Sequence, residues 1–277
     1  MEKEILKKEF KKKLQQLVES FKEKISTVDN QWTIKGFIDT FKNIYSISSD
    51  TKIVSKILEI HLFPEILKFA TINNYKLVLP KHQNYYPDMS FIDSNDEQIK
   101  FAVDFKTTYR LPNKPDYCNG FTLGSHGEYF INRNSYKNIQ FPYNQYLGHF
   151  CLGIIYSRNI ESNIEETKVF DIKNLKSITS VIKDFKFFVC EKWEIASDSS
   201  GSGNTANIGS IKNIDDIIKG NGVFKELGEN WFDDYWMNYS KITFVDDEGK
   251  QKRITKLNDF LNYKGSSIEK LKKKGEQ

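Results

Sequence analysis

The sequence predicts a mixed α/β domain, because strand-like and helix-like patterns alternate along one chain of 277 residues. Between Ile99 and Thr108, Phe101, Val103 and Phe105 alternate with Ala102, Asp104, Lys106 and Thr108, the period of a strand with one buried face. Glu2 to Ile25 carries Ile5, Leu6, Phe10, Leu14, Leu17, Val18 and Phe21 at helical spacing among lysines and glutamates. Further apolar runs at 145–156 and 185–193 add strand candidates that feed an interior, as one large α/β domain requires.

In chain order, the N-terminal helix is expected to pack on the domain or to contact a second copy. Ser49-Asp50 is an N-cap before a helical run through Ile53, Val54, Ile57, Leu58 and Ile60, which Pro64 should end or kink. Asp88 to Ile92 reads as a strand joined by the polar stretch Asp93–Gln98 to the strand that begins at Ile99. From Lys114 to Asn134, Gly, Tyr, Asn and Ser dominate and a long surface excursion is expected. Gln145 to Tyr156 should be a helix leading into a buried strand, and Phe185 to Trp193 another strand. Ser197 to Asn207 has no apolar residue larger than alanine and reads as a loop. Trp231 to Trp236 places aromatics at helical spacing, as core or dimer packing requires, and the tail beyond Tyr263 should fray. These readings divide the chain into an N-terminal helical extension (1–41), a main domain (42–265) and a tail (266–277).

The hairpin carries the chemistry. If Ile92 faces Lys100, Ser90 falls opposite Ala102 and Asp88 opposite Asp104, with Cβ atoms about 5 Å apart and Lys106 further along the same face. An Asp and a Lys two apart on a strand are usually a solvated face. Two carboxylates and an ammonium brought together are a different matter, because the like charges repel until a cation sits between them. Hard Mg²⁺ takes one or two carboxylates, its own waters and a substrate phosphate. Lys106 beside it can stabilise developing negative charge or hold an attacking water. This is a layout for metal-assisted phosphodiester hydrolysis.

Composition permits that reading without demanding it. The net charge of +4 is compatible with a nucleic-acid partner, since a local basic cleft matters more than the total. Three widely spaced cysteines, Cys118, Cys151 and Cys190, suggest neither a disulfide framework nor a zinc site, and a reduced, cytoplasmic setting is expected. The charged start is no signal peptide, and the longest apolar run is far too short to span a bilayer.

The run Asn84-Tyr85-Tyr86-Pro87-Asp88 with Asp104-Phe105-Lys106-Thr107-Thr108-Tyr109 resembles the PD-(D/E)xK nuclease signature in its EcoRV-type form. Ser49 to Lys52, Gln145-Tyr146 and the nearly continuous block Gly201 to Ser210 resemble the same type II restriction endonuclease family in the same order, from about Lys42 to about Gly265. The resemblance implies the restriction-endonuclease fold with its mixed central sheet flanked by helices, a homodimer on double-stranded DNA, and Mg²⁺-dependent cleavage of a short palindrome, GATATC or a relative, leaving 5′-phosphate ends. It makes Asp88 and Asp104 metal ligands, Lys106 the catalytic cation and Glu59 an additional acidic residue for a second metal or for ordering water. It implies DNA contacts for Lys52, for Lys137, and for Gln83 and Asn84 in a minor-groove loop in which His82 replaces a glutamine.

The same resemblance turns the loop of Gly201, Ser202, Gly203, Asn204, Thr205 and Asn207 into a major-groove reader, with Ala206 where the family has threonine. The chemistry suits the role: glycines allow close approach, Asn pairs with adenine N6 and N7, and a threonine methyl meets the thymine methyl. A phosphate-cradling loop would need the Lys-Ser/Thr ending that is missing here. Two rivals stay open on sequence, a DNA-binding protein of this fold without the chemistry and a structure-specific nuclease of repair or recombination.

Overall fold

The computed structural model describes residues 2–159, 168–201, 206–245 and 249–267. Its frame is a six-stranded sheet in which β1 (Tyr75–Val78), β2 (Met89–Asp93), β3 (Lys100–Leu111), β4 (Gly148–Arg158) and β5 (Ile182–Glu191) run in the spatial order β5-β4-β3-β2-β1, with the short strand Lys114–Cys118 pairing antiparallel to the end of β3. Strands β1 to β3 pair antiparallel, β3 and β4 parallel, and β4 and β5 antiparallel, so the sheet is mixed. The β2–β3 register is the one the hairpin pattern predicts, with Ile92 opposite Lys100 and Ser90 opposite Ala102.

One expectation needs correction: β3 has two buried faces, not one. Phe101, Val103 and Phe105 enter one core cluster together with Phe150, Leu152, Ile154 and Val189, whereas Ala102 joins Cys151, Ile155, Phe188 and Cys190 in a second. Successive side chains on neighbouring strands thus feed opposite layers, as the period-two pleat dictates. Strand β3 is central, so its polar-looking face also lies under protein, and Asp104 (5 % exposed) and Thr108 (2 %) are buried. On β4, Gly153 is required by close approach: a Cβ there would stand 1.9 Å from Cζ of Phe188.

The first layer is covered by α1 (Glu2–Ile25) and α2 (Thr51–Ile72). Phe10, Leu14, Leu17, Val18, Phe21 and Ile25 of α1 are buried in this chain's own core, and the Phe10 ring stacks on Phe101 with centroids 4.1 Å apart. Buried Lys7 fastens the helix to the far layer, its Nζ 2.9 Å from Glu229 Oε2 and 3.0 Å from Glu191 Oε2. Helix α2 starts where Asp50 accepts hydrogen bonds from the N–H groups of Lys52 and Ile53, but Pro64 does not end it. Pro64 and Ile60, whose carbonyl loses its helical partner there, both lie on the exposed face, so water can satisfy the orphan oxygen.

The second layer is built largely from segments that read as loop. Instead of a surface excursion, the stretch after β3 forms strands Lys114–Cys118 and Thr122–Ser125 and the short helix Glu128–Ile131, which buries Tyr129 and Phe130. Only a single 3-10 turn, Tyr143–Gln145, precedes β4, where a helix was expected. Phe232, Tyr235 and Trp236 of the helix Glu229–Asn238 fill the same layer with Phe224 and Phe260. A peripheral antiparallel sheet of Gly36–Ile38, Asn43–Ser46 and Val169–Asp171 lies apart from the central one. The three cysteines are buried free thiols, and no helix among the described residues is long and apolar enough to cross a membrane.

Because Phe10 is wholly buried between two layers, Phe10→Ala should destabilise the protein by about 3–5 kcal/mol in chemical denaturation. A loss under about 1 kcal/mol would mean that α1 is not part of the core.

Candidate active site

The pairing of β2 with β3 sets the geometry. Asp88 occupies the bend just before β2, and its backbone N–H donates to Asp104 Oδ1 at 3.2 Å. In return the Phe105 N–H donates to Asp88 Oδ2 at 2.8 Å. Each carboxylate is thus held by the backbone of the other's strand, so the hydrogen-bonding pattern of the sheet itself converges them. Lys106, two residues beyond Asp104, swings back to place Nζ 2.8 Å from Asp104 Oδ2, with its side chain 17 % exposed. The structure therefore brings Asp88, Asp104 and Lys106 together.

Burial pushes the Asp88 carboxyl up to about 6, and the Asp104 charge beside it pushes the same way, against the pull of Lys106 and the Phe105 N–H. Burial alone would lower the Lys106 ammonium, but Asp104 and Asp88 outweigh it and hold its pKa above the usual range. The site is thus an anionic pair short of positive charge. Among the described residues no group of three or more His, Cys, Asp and Glu side chains converges on one point. Two carboxylates open to a cleft are the complement that Mg²⁺ takes, and they do not make a nitrogen- and sulfur-rich zinc set.

Two cavities meet at Asp88. One of about 710 Å³ is lined by Asp88, Lys106, Glu59, Lys52 and Gln83, and one of about 320 Å³ by Asp88, Asp104, Gln83, Asn84 and Asn207. Glu59 faces the larger cavity from the middle of α2, but its Oε1 is held 2.8 Å from Lys56 Nζ. It shares that cavity with Asp88, whose carboxyl its charge also pushes up. Exposed Lys137 stands at the rim, 3.5 Å from Glu128, which lines the smaller cavity. His82 packs against the Tyr85 ring, centroids 4.8 Å apart.

The segments on either side of residues 202–205 are anchored where their composition suggested a free linker. Strand Ala196–Ser200 pairs with Asn207–Ser210, and the Gly201 N–H donates to the Asn207 carbonyl at 2.8 Å. Asp198 ties this root to the C-terminal helices: its carbonyl accepts from the Tyr235 hydroxyl at 2.6 Å, and its Oδ2 accepts from the Leu257 N–H. Gly201 and Asn207 are placed at the cleft end of this ribbon, while Ser202, Gly203, Asn204 and Thr205 lie outside the described residues.

The sequence reading missed the layer beneath the carboxylates. Tyr86, next to the cis peptide before Pro87, hydrogen-bonds His149 Nδ1 through its hydroxyl at 2.9 Å, and Tyr143 stacks on His149 with centroids 3.7 Å apart. Burial holds the His149 imidazole neutral, its pKa well below the usual value. Lys192 is also there, 2 % exposed. A lysine closing a strand in Glu191-Lys192-Trp193 carries no sign of burial in sequence, because only the partner segments decide which way it points.

The Asp88 shift has a testable sign. A carboxyl whose folded pKa lies above its unfolded one stabilises the fold below its unfolded value and loses that contribution as pH rises through about 6. With metal chelated, the stability of Asp88→Asn relative to the parent should therefore rise between pH 4 and pH 7 in denaturant titrations. A difference that is flat across that window would show that burial and the Asp104 charge do not raise the Asp88 carboxyl.

Residues 28–265 match the family of the restriction endonuclease EcoRV. The chain is 36 % identical over 237 residues to the type II restriction enzyme EcoRV of Escherichia coli, an alignment covering 85 % of this chain and 91 % of that one. With a mixed sheet that presents Asp88, Asp104 and Lys106 at one cleft, and with sequence likeness over nearly its whole length, the chain belongs to the EcoRV-type family of type II restriction endonucleases.

Proposed function

We propose that this protein cuts double-stranded DNA at a short palindrome, GATATC or a close relative, in a Mg²⁺-dependent reaction that leaves 5′-phosphate and 3′-hydroxyl ends. The observation that carries the reading is the mutual backbone clamp of Asp88 and Asp104 with Lys106 at 2.8 Å, open to a cleft. Asp88 and Asp104 are the residues that would hold Mg²⁺. When bound, the ion supplies neutralisation of phosphate charge and a more acidic water.

The rest falls to the protein. Lys106, free to turn from Asp104 to the phosphate, steadies the charge that grows on the phosphoryl oxygens and orients the attacking water. Water adds to phosphorus as the bond to the 3′ oxygen breaks, the attacking water giving up a proton to solvent and the departing 3′ oxygen taking one from solvent to become the hydroxyl. Glu59 faces the same cavity from α2, placed to order water or support a second ion. Lys52 and Lys137 meet backbone phosphates, which positions the duplex without reading it. Gln83 and Asn84 face the minor groove. The loop from Gly201 through Ser202, Gly203, Asn204 and Thr205 to Asn207 reads base edges in the major groove.

A palindrome is matched by two-fold symmetry, and the fold offers a surface for a second copy. Of the two roles expected for α1 and the 231–236 stripe, core packing or dimer contact, both elements take the first and are spent on this chain's own core. The peripheral sheet instead exposes a cross-strand apolar row, Phe37 paired with Tyr45 and Tyr45 with Val169, 54, 44 and 50 % exposed, with Phe41 83 % exposed at the adjoining turn. We assign the homodimer contact to that row.

Digestion of a plasmid of known sequence with Mg²⁺, followed by mapping of the ends, tests the specificity; cuts at unrelated sequences, or at branched rather than linear duplexes, would overturn it. Lys106→Ala should leave DNA binding within a few-fold of the parent and lower the cleavage rate by about 10²–10³ or more. Unchanged cutting would remove the lysine from the mechanism. In sedimentation experiments Phe37→Asp with Phe41→Asp should convert a dimer to a monomer, and a persistent dimer would place the contact elsewhere.

A further inference from the structure

Lys192 begins the 3-10 turn Lys192–Ile195 that follows β5, and its side chain runs into the layer under the cleft. Its ammonium has no hydrogen-bond partner among the described residues. What surrounds it are rings: Nζ is 5.2 Å from the Tyr86 centroid, 5.1 Å from Phe130 and 5.6 Å from Tyr143. A Cβ on Gly124 would stand 3.4 Å from Nζ, and Gly124, at a φ of +89°, lines the smaller cavity together with Tyr86, Asp88 and Asp104. The charge thus sits directly behind the cleft wall.

For the fold alone this charge is a cost. Ring faces recover part of the lost hydration, but an unpaired buried ammonium is expensive, and an apolar side chain of similar length would fill the same space. Only a group that uses the field rather than a contact gains from it. Burial draws the ammonium down to about 8, and among the charges that pull it back Asp104 is the strongest. Two carboxylates, Asp88 and Asp104, and two ammoniums, Lys106 and Lys192, leave the buried cluster electrically neutral.

We propose that Lys192 is a positioning residue of the site: set behind Gly124 and caged by Tyr86, Phe130 and Tyr143, it is the fixed counter-charge that offsets the Asp88–Asp104 pair in the metal-free protein and opposes the incoming metal. It touches neither DNA nor metal. Lys106 can then leave Asp104 for the phosphate without stranding two bare carboxylates, and the loaded site presents one more positive charge to the phosphodiester. The inference rests on the reading of Asp88 and Asp104 as the metal-holding pair.

The test is calorimetric titration of the full-length protein with Mg²⁺ alone, for the parent, Lys192→Met, Lys192→Gln and Lys192→Arg at one pH and ionic strength, alongside thermal midpoints and cleavage rates. The neutral variants should fold with an equal or higher midpoint, bind Mg²⁺ at least about threefold tighter once the repelling charge is gone, and cleave more slowly at saturating Mg²⁺. Lys192→Arg should return the parent's affinity, which a space-filling role would not require. Unchanged Mg²⁺ affinity in a folded neutral variant would overturn the proposal, as would failure of both neutral variants to fold, since the lysine would then be holding the core. Absence of Mg²⁺ binding by the parent would remove the role of the carboxylate pair itself, and the counter-charge with it.

Discussion

Two carboxylates forced into one small volume are the constraint on which the rest of this structure turns. Asp88 and Asp104 do not meet by side-chain attraction; they repel. They are held together because the antiparallel pairing of β2 and β3 aims a backbone N–H of each segment at the carboxylate of the other. The sheet supplies the force, and the site keeps the tension. A pair so arranged is quieted by positive charge, which the protein supplies through Lys106 in contact and through Lys192 behind the cleft wall.

The architecture follows from the need to hold that pair rigidly at an opening. Strand β3 is central and is buried on both faces, with phenylalanines on the α1–α2 side and the chemically active residues on the other. An element fixed on two sides cannot drift, which suits a site whose geometry must persist while the substrate changes shape. The second layer has a double duty. Tyr86, Tyr143 and His149 floor the site, and Asp198, bonded by Tyr235 and by the Leu257 N–H, roots the ribbon of Ala196–Ser200 and Asn207–Ser210. The carboxylate site and the Ala196–Ser200 ribbon are therefore braced by the same packed layer, and a disturbance of the Glu229–Asn238 helix would reach both.

Much of this was legible in the sequence, for identifiable reasons. The alternation through Phe101, Val103 and Phe105 set the strand, and hairpin arithmetic from Ile92 and Lys100 delivered the register that joins Asp88 to Asp104, because period two leaves little freedom. What escaped were features settled by distant segments. Whether Ala102 and Asp104 face water depends on what covers them, and the cover comes from residues beyond 114 whose polar composition reads as loop. Tyr129 and Phe130 are core because Phe232 and Tyr143 lie against them, facts with no local trace. Pro64 looked like a stop, yet the carbonyl it orphans lies on the wet side of α2. Nothing local marks Lys192, which is among the most buried charges of the described residues.

The central claim is that Asp88 and Asp104 converge to hold one divalent ion at the mouth of a DNA-binding cleft. Anomalous diffraction from crystals soaked with Mn²⁺ tests it most directly, because the peak locates the ion independently of any activity. A single strong peak between the two carboxylates, lost in Asp104→Asn, is the predicted result. An ion bound elsewhere in the cleft, or a peak that survives the loss of either aspartate, would contradict the account.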